Sequence, residues 1–297
     1  MTKGSTCILV TGASGFLGSN ITRALLGAGH SVRALRRIDS SMARVADIMD
    51  DVEWLTIGES REDEFAAFFE GVDCVIHTAA SYGRKGESVV DIAKANTILG
   101  LDVLNAALER KVKTFINTDS ALPKNTKPYT LSKAHFAEWG RYFAENSQIR
   151  FINIRLEHMY GPGDDSVKFT NYVIDACLSN VPILNLTEGK QERDFIYIDD
   201  VVSAYMLLLK RLTSMDLSYC DISLGSGKTV SIRALVETIH RIANSKTRLA
   251  FGATKLSAND VMHSCADISY MKSLGWQPEM PLHQGLLTTV EYARQGQ

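Results

Sequence analysis

Short apolar runs alternate with amphipathic stretches through the first half of the chain. The runs Cys7–Thr11, Ser31–Leu35, Glu53–Ile57, Cys74–Thr78, Thr114–Asn117 and Phe151–Arg155 read as strands. Between them, helical spacing of apolar residues marks Leu17–Ala28, Glu64–Phe69, Val89–Arg110 and Thr130–Asn146. Strands that are apolar along their whole length, each followed by a helix, call for burial on both faces. The pattern therefore predicts an α/β fold with a doubly wound parallel sheet of the Rossmann type. After Tyr160 the character changes at the turn-rich break Gly161-Pro162-Gly163-Asp164-Asp165. Helices are predicted at Phe169–Ser179, Val201–Leu209, Ile232–Ala243, Met271–Leu274 and Leu282–Tyr292. Apolar runs stand at Pro182–Leu186 and, as a strand, at Phe195–Ile198. Residues 1–160 thus form the predicted sheet domain, with 195–224 returning to it, and 161–297 a smaller mixed part.

Composition narrows the classes without choosing among them. The 297 residues carry 45% hydrophobic and 22% charged residues and a net charge of -2. No basic stripe of the kind that binds nucleic acid is present. No run approaches the roughly 20 apolar residues of a membrane span, and the amino terminus has no apolar signal segment. Cys7, Cys74, Cys177, Cys220 and Cys265 are scattered, without metal or disulfide spacing. A soluble, cytoplasmic protein with reduced cysteines and no metal is the expectation.

Candidate chemistry begins at Thr11-Gly12-Ala13-Ser14-Gly15-Phe16-Leu17-Gly18, between the first strand and the first helix. Gly12 would permit the tight turn, Gly15 close approach to a pyrophosphate, and Gly18 helix-to-strand packing. The residues from Gly12 through Ser14, Phe16 and Leu17 to Gly18 would carry a dinucleotide at the helix N-terminus. The second strand ends in Leu35-Arg36-Arg37, where an NAD-binding protein usually offers a carboxylate. Arg36 suits a 2′-phosphate, which favours NADP(H) over NAD(H).

Several motifs in order then carry a resemblance. They are the glycine turn, Asp73-Cys74-Val75-Ile76-His77-Thr78-Ala79-Ala80, Tyr129-x-x-x-Lys133, Tyr160-Gly161-Pro162, Arg193-Asp194-Phe195-Ile196-Tyr197 and Leu274-Gly275-Trp276-x-Pro278. With them the chain resembles the extended short-chain dehydrogenases (the NAD-dependent epimerase/dehydratase family) that modify nucleotide-activated sugars. Within that family, Ile116–Ser120 and Arg155–Asp164 are similar to the CDP-abequose and CDP-paratose synthases, which reduce a 4-keto-dideoxyhexose at C4. The resemblance implies a catalytic set of Ser120, Tyr129 and Lys133, with Thr118 as a rival hydroxyl. It implies cofactor contacts at Ala79, Ala80, Asn96 and Lys133. Substrate contacts would fall on Tyr82, Glu157, His158, Lys168 and Arg193, the last on the pyrophosphate of a nucleotide-diphosphate sugar. It also implies a homodimer joined by a four-helix bundle of the Val89–Arg110 and Thr130–Asn146 helices. Relatives carry a second arginine near Ser257, where this chain reads Lys255-Leu256-Ser257-Ala258-Asn259.

The chemistry of the pair can be reasoned independently. Tyr129 and Lys133 are four apart, so a helix presents both on one face. An adjacent ammonium is expected to lower the phenol's pKa from about 10 and fit it for acid–base work. Competing readings are an epimerase or dehydratase of the same fold and a non-catalytic dinucleotide sensor. A dehydratase needs an Asp-Glu pair where this chain has Ala121 and Leu122, and a sensor does not need the Tyr/Lys pair. Gly225-Ser226-Gly227-Lys228-Thr229 imitates a phosphate loop but has Ile222 where the leading glycine belongs.

Overall fold

A computed structural model of the chain describes residues 6–58, 62–212, 217–257 and 260–296. Its contacts cluster into two compact units, Met1–Arg155 with Val202–Ile222, and Leu156–Val201 with Ser223–Gln297.

The first unit holds strands β1 (Cys7–Thr11), β2 (Ser31–Arg37), β3 (Val52–Ile57), β4 (Cys74–His77), β5 (Thr114–Ser120) and β6 (Arg150–Leu156). A further strand, Tyr219–Leu224, closes the far edge. The order across the sheet places β3, β2, β1, β4, β5 and β6 side by side, and the pairings β1–β2, β1–β4, β2–β3 and β4–β5 are parallel. This is the doubly wound Rossmann arrangement, and its connections reverse direction between β1 and β4. Ligands of such sheets bind at the carboxyl ends of the strands beside that reversal. Helices α1 (Phe16–Gly27), α2 (Glu62–Ala67), α3 (Val89–Ala93), α4 (Leu99–Glu109) and α5 (Pro128–Asn146) belong to the same unit.

The expected helix over Val89–Arg110 is not continuous. A π-helical turn, Lys94–Ile98, separates α3 from α4. Such a turn inserts a residue into the i→i−4 ladder, and here the residue so presented is the buried Asn96. The apolar periodicity runs through the insertion, so the pattern alone does not reveal it. A 3₁₀ segment, Ala43–Asp51, also lies between β2 and β3.

The helices expected after Tyr160 are all present, and short strands that the sequence does not announce stand with them. Among the described residues, Glu192–Tyr197 is flanked by Thr229–Ser231, His263–Ser264 and His158–Tyr160. Ile183–Leu186 pairs in parallel with Arg248–Phe251. Strands of two to six residues owe their existence to these partners, and so short a run carries no readable period.

Aromatic packing holds α5 to the sheet of the first unit. Phe136 lies 5.8 Å from Phe115 and 5.9 Å from Phe151, ring centre to ring centre, and Phe115 stacks on Phe151 at 5.3 Å. All three are fully buried. Each ring contributes about 1.5–3 kcal/mol of burial plus roughly 0.5–1.5 kcal/mol of specific ring contact. Glycines make room for the rings: a Cβ on Gly100 would stand 2.7 Å from Phe136, and one on Gly140 would strike Phe151. Gly140→Ala should therefore destabilise the protein by about 1–3 kcal/mol, although alanine is the better helix former by roughly 1 kcal/mol. Urea unfolding of the two proteins checks this, and a stabilised variant would contradict the packing described.

Candidate active site

The chain leaves β1 at Thr11 and enters α1 at Phe16, with the glycine turn between them. Gly12 has φ +69°, a conformation that favours glycine. Its bare Cα is also needed, because a Cβ there would lie 2.7 Å from the Ala79 amide nitrogen and 2.9 Å from Thr78 Oγ1. Thr11 ties the same two loops together: its carbonyl accepts from Thr78 Oγ1 at 2.8 Å, and its hydroxyl accepts from the Ala79 amide at 3.3 Å. Gly15 caps α1 without any side-chain cap, and a Cβ on Gly18 would strike Gly12. The β1 and β4 loops, with Ser14, Phe16 and Leu17 on one side and Ala79 and Ala80 on the other, thus meet at the reversal point of the sheet. Arg36, near the end of β2, donates Nε to Thr56 Oγ1 at 3.1 Å. One of its five N–H groups is used to hold it there.

Tyr129 and Lys133 occupy the first turns of α5. Pro128 suits the first helical position, and Thr130 Oγ1 accepts the Lys127 amide at 3.2 Å. Asn96, presented by the π turn, clamps this helix to the loop after β4. Its Oδ1 accepts the Ser81 amide at 2.7 Å, and its Nδ2 donates to Ser81 O at 2.9 Å and Ser132 Oγ at 3.0 Å. The loop carries Tyr82, whose ring centre lies 4.7 Å from that of Tyr129. Arg84 stands 5.1 Å over the Tyr82 ring.

The hydroxyls of Tyr82 and Ser120 both lie beside the Tyr129 phenol. Ser120, at the carboxyl end of β5, thus lies beside Tyr129 at the start of α5, and Lys133 follows one turn along that helix. Thr118 is turned elsewhere, its Oγ1 2.7 Å from the buried Tyr205 hydroxyl. Burial pushes the Tyr129 pKa well above the ordinary phenol value, and the negative charge of Asp119 adds to the effect. The expectation of a lowered phenol pKa is therefore corrected: without ligand, Tyr129 is held as the neutral acid. Lys133 is 1% exposed, and its Nζ has no hydrogen-bond partner among the described residues. Burial depresses its pKa to about 8, against the opposing pull of Asp119. His77 is neutral, with its pKa far below the usual range through burial and the nearby Lys133. Its Nδ1 meets Thr11 Oγ1 at 2.8 Å.

Behind these groups lies a polar network that motif reading missed. Asn153 on β6 joins Asp119 and Asn117 of β5 to Asp221. A signal was available: Asn117 and Asp119 alternate along β5 and so share a face, and Asn153 interrupts an apolar strand.

In the second unit, Glu157 is buried, accepting from Ser264 Oγ at 2.7 Å, with His158 Nδ1 at 3.3 Å. His158 also packs on Phe195, ring centres 5.6 Å apart. Lys168 is paired with Asp164 at 2.8 Å, and Arg193 with Asp260 at 2.9 Å. Both candidate phosphate cations thus already hold a carboxylate. Ala258 and Asn259, in the stretch where relatives carry a second arginine, lie outside the described residues. The imitation phosphate loop is closed by the chain itself. The Ser226 and Gly227 amides donate to Asp194 at 2.7 and 2.9 Å, and a Cβ on Gly225 would strike that carboxylate. Among the described residues no cluster of His, Cys, Asp or Glu is arranged for a metal ion. No described helix is long and apolar enough to cross a membrane.

The first unit fits a dinucleotide. The glycine turn sets an uncapped helix N-terminus at the carboxyl end of β1, and Lys133 presents a buried ammonium without a hydrogen-bond partner among the described residues.

Comparison with known proteins agrees. The model of the NAD dependent epimerase/dehydratase family matches residues 8–219. A CDP-abequose synthase from Salmonella typhimurium is 34% identical, over 94% of this chain and 95% of its own length. A dTDP-4-dehydro-6-deoxyglucose reductase from Escherichia coli is 28% identical over 58% of this chain and 53% of its own length. In structure, a UDP-glucose 4-epimerase from Thermotoga maritima superposes with a TM-score of 0.85 at 23% identity, covering 98% of this chain and 99% of that one.

The Lys133 ammonium is a cost to the fold, and its size follows from the depressed pKa. Between 10.5 and about 8 the shift is worth about 3 kcal/mol. The unfolded chain binds the proton more readily, so stability should rise as pH climbs from about 8 to about 10.5. Lys133→Met, by removing the charge, should stabilise the cofactor-free protein at pH 7 by a few kcal/mol. That advantage should shrink as pH approaches 10.5. Urea titrations at the two pH values test it; a Lys133→Met variant no more stable than the unaltered protein at pH 7 would contradict a strained lysine.

Proposed function

Because the chain belongs to the NAD dependent epimerase/dehydratase family, we propose that it uses NADPH to reduce the C4 ketone of a nucleotide-activated 4-keto-deoxyhexose. A CDP-linked sugar is favoured and a dTDP-linked one comes next, within the cytoplasmic synthesis of deoxysugars for O-antigen. The observation that supports this reading is Ser120 beside the Tyr129 phenol, with the buried Lys133 one helical turn beyond it. The name of the Escherichia coli relative, a reductase, supports the reductive direction.

Tyr129, held protonated, gives its proton to the carbonyl oxygen. Ser120, beside that phenol, orients and polarises the same oxygen. Lys133 stabilises the phenolate left behind. A reduced nicotinamide, when bound, supplies the hydride to carbon, so ketone, hydride and proton balance to an alcohol. A raised phenol pKa suits this direction, since reduction starts from the acid form. Arg36, braced by Thr56, would meet the 2′-phosphate that separates NADPH from NADH. Tyr82, and in the second unit Glu157, His158, Lys168 and Arg193, are the proposed substrate contacts. The dehydratase reading asks for proton-carrying side chains at Ala121 and Leu122, and these have none.

Purified protein should oxidise NADPH in the presence of a CDP- or dTDP-linked 4-keto-deoxyhexose, and NADH much more slowly. Tyr129→Phe should lower kcat by roughly 10²–10⁴-fold while cofactor binding is largely kept. No turnover on any such sugar, or full activity in Tyr129→Phe, would sink this assignment.

The assembly proposed is a homodimer. Val89 and Val90 on α3, Ile98 in the π turn, and Leu131, Trp139 and Tyr142 on α5 are 40–64% exposed. The α5 positions follow a helical stripe, which a second copy of the same helices would bury. Sedimentation should give a dimer at micromolar concentration, and Trp139→Glu should dissociate it. A monomeric unaltered protein would refute this.

A further inference from the structure

We propose that Asp119 is a positioning residue for the candidate centre: its carboxylate, pinned by Asn153 and the Ser120 amide, is the counter-charge that keeps the buried Lys133 ammonium available to Tyr129. The functional reading above is needed only for the kinetic consequence, not for the charge arrangement itself.

Hydrogen bonding fixes where the Asp119 carboxyl points. It lies at the end of β5, 9% exposed. Its Oδ1 accepts the Ser120 amide at 2.7 Å, and its Oδ2 accepts Asn153 Nδ2 at 3.1 Å. The orientation of Asn153 follows from its other partners. Nδ2 also donates to Asp221 Oδ1 at 2.8 Å, while Oδ1 accepts from Asn117 Nδ2 at 2.7 Å. A flipped amide would point its oxygen at two carboxylates. Both oxygens of Asp119 are therefore held as hydrogen-bond acceptors. Asp221 anchors the far side of Asn153, accepting from the Tyr219 hydroxyl at 3.1 Å and pairing with Arg141 at 3.3 Å.

Lys133 needs an anion. A buried ammonium without a hydrogen-bond partner loses its proton unless an opposite charge acts on it. Asp119 on β5 and neutral His77 on β4 lie close enough to act on it, and Tyr129 stands one turn before it on its own helix. Among the described residues Asp119 is the carboxylate whose charge favours the ammonium. The same charge also favours the neutral form of Tyr129. One carboxylate thus keeps a proton on both members of the pair, the condition a reduction starts from.

Lysine side-chain nitrogen NMR of the cofactor-free protein tests this, with Lys133→Met identifying the signal. In the unaltered protein Lys133 should be protonated at pH 7. Asp119→Asn should lower its midpoint by about one pH unit or more, roughly a tenfold change in the protonation equilibrium. Asp221→Asn, which removes a carboxylate of the same network farther along it, should move the midpoint less. A folded Asp119→Asn protein with an unmoved midpoint would overturn the proposal. Should that variant not fold, the unaltered protein decides, since a Lys133 neutral at pH 7 with Asp119 in place overturns it equally. In the kinetic arm, the alkaline fall of kcat/KM should shift down with the midpoint in Asp119→Asn. If the unaltered protein reduces none of the keto sugars, the functional reading fails while the NMR result still judges Asp119.

Discussion

A charged amine kept out of water is the constraint around which the first unit is organised. Removing an ammonium from solvent costs several kcal/mol even after a protein relaxes around it, and Lys133 has no hydrogen bond to offset that cost. The fold must therefore hold α5 firmly enough that the helix cannot shift and let the charge escape. Phe136, three residues beyond Lys133, does this by packing edge-on against the stacked pair Phe115 and Phe151. Gly100 and Gly140 supply the space those rings occupy. Asn96 fastens the same helix from the other side. The apolar core and the polar clamp thus serve one purpose, which is to make an unfavourable position the lowest one available.

How much of this could be read in the sequence depended on distance along the chain. The glycine turn was legible because its strand, loop and helix are contiguous, so each residue's task follows from its neighbours. Tyr129 and Lys133 were legible for the same reason, four residues apart on one helix. The Asp119–Asn153–Asp221 network was not, since its members are 34 and 68 residues apart and meet only after three strands have paired. The π turn escaped because Val89–Arg110 keeps its apolar rhythm through the inserted residue. The direction of the Tyr129 pKa was misjudged because spacing reveals the nearby ammonium but not the loss of solvent.

Two glycine-rich turns show how little a motif says until its surroundings are known. The turn after β1 leaves its backbone amides at an uncapped helix end, with small residues opposite. The turn at Gly225–Gly227 offers similar amides, but Asp194 already accepts from them. An anion from solution would have to displace a carboxylate that is 0% exposed. Similar local chemistry gives an open cradle in one case and a closed structural joint in the other.

The Tyr129 hydroxyl already has companions in Tyr82 and Ser120 before any ligand arrives. Under the proposed reaction, an incoming carbonyl would enter by exchange, displacing a neighbouring hydroxyl as it accepts from the phenol. A molecule of the right size but without a well-placed acceptor would displace that hydroxyl and form nothing in return. The tilted tyrosine pair thus acts as a toll on entry, refunded only to a ligand that brings its own acceptor to the phenol.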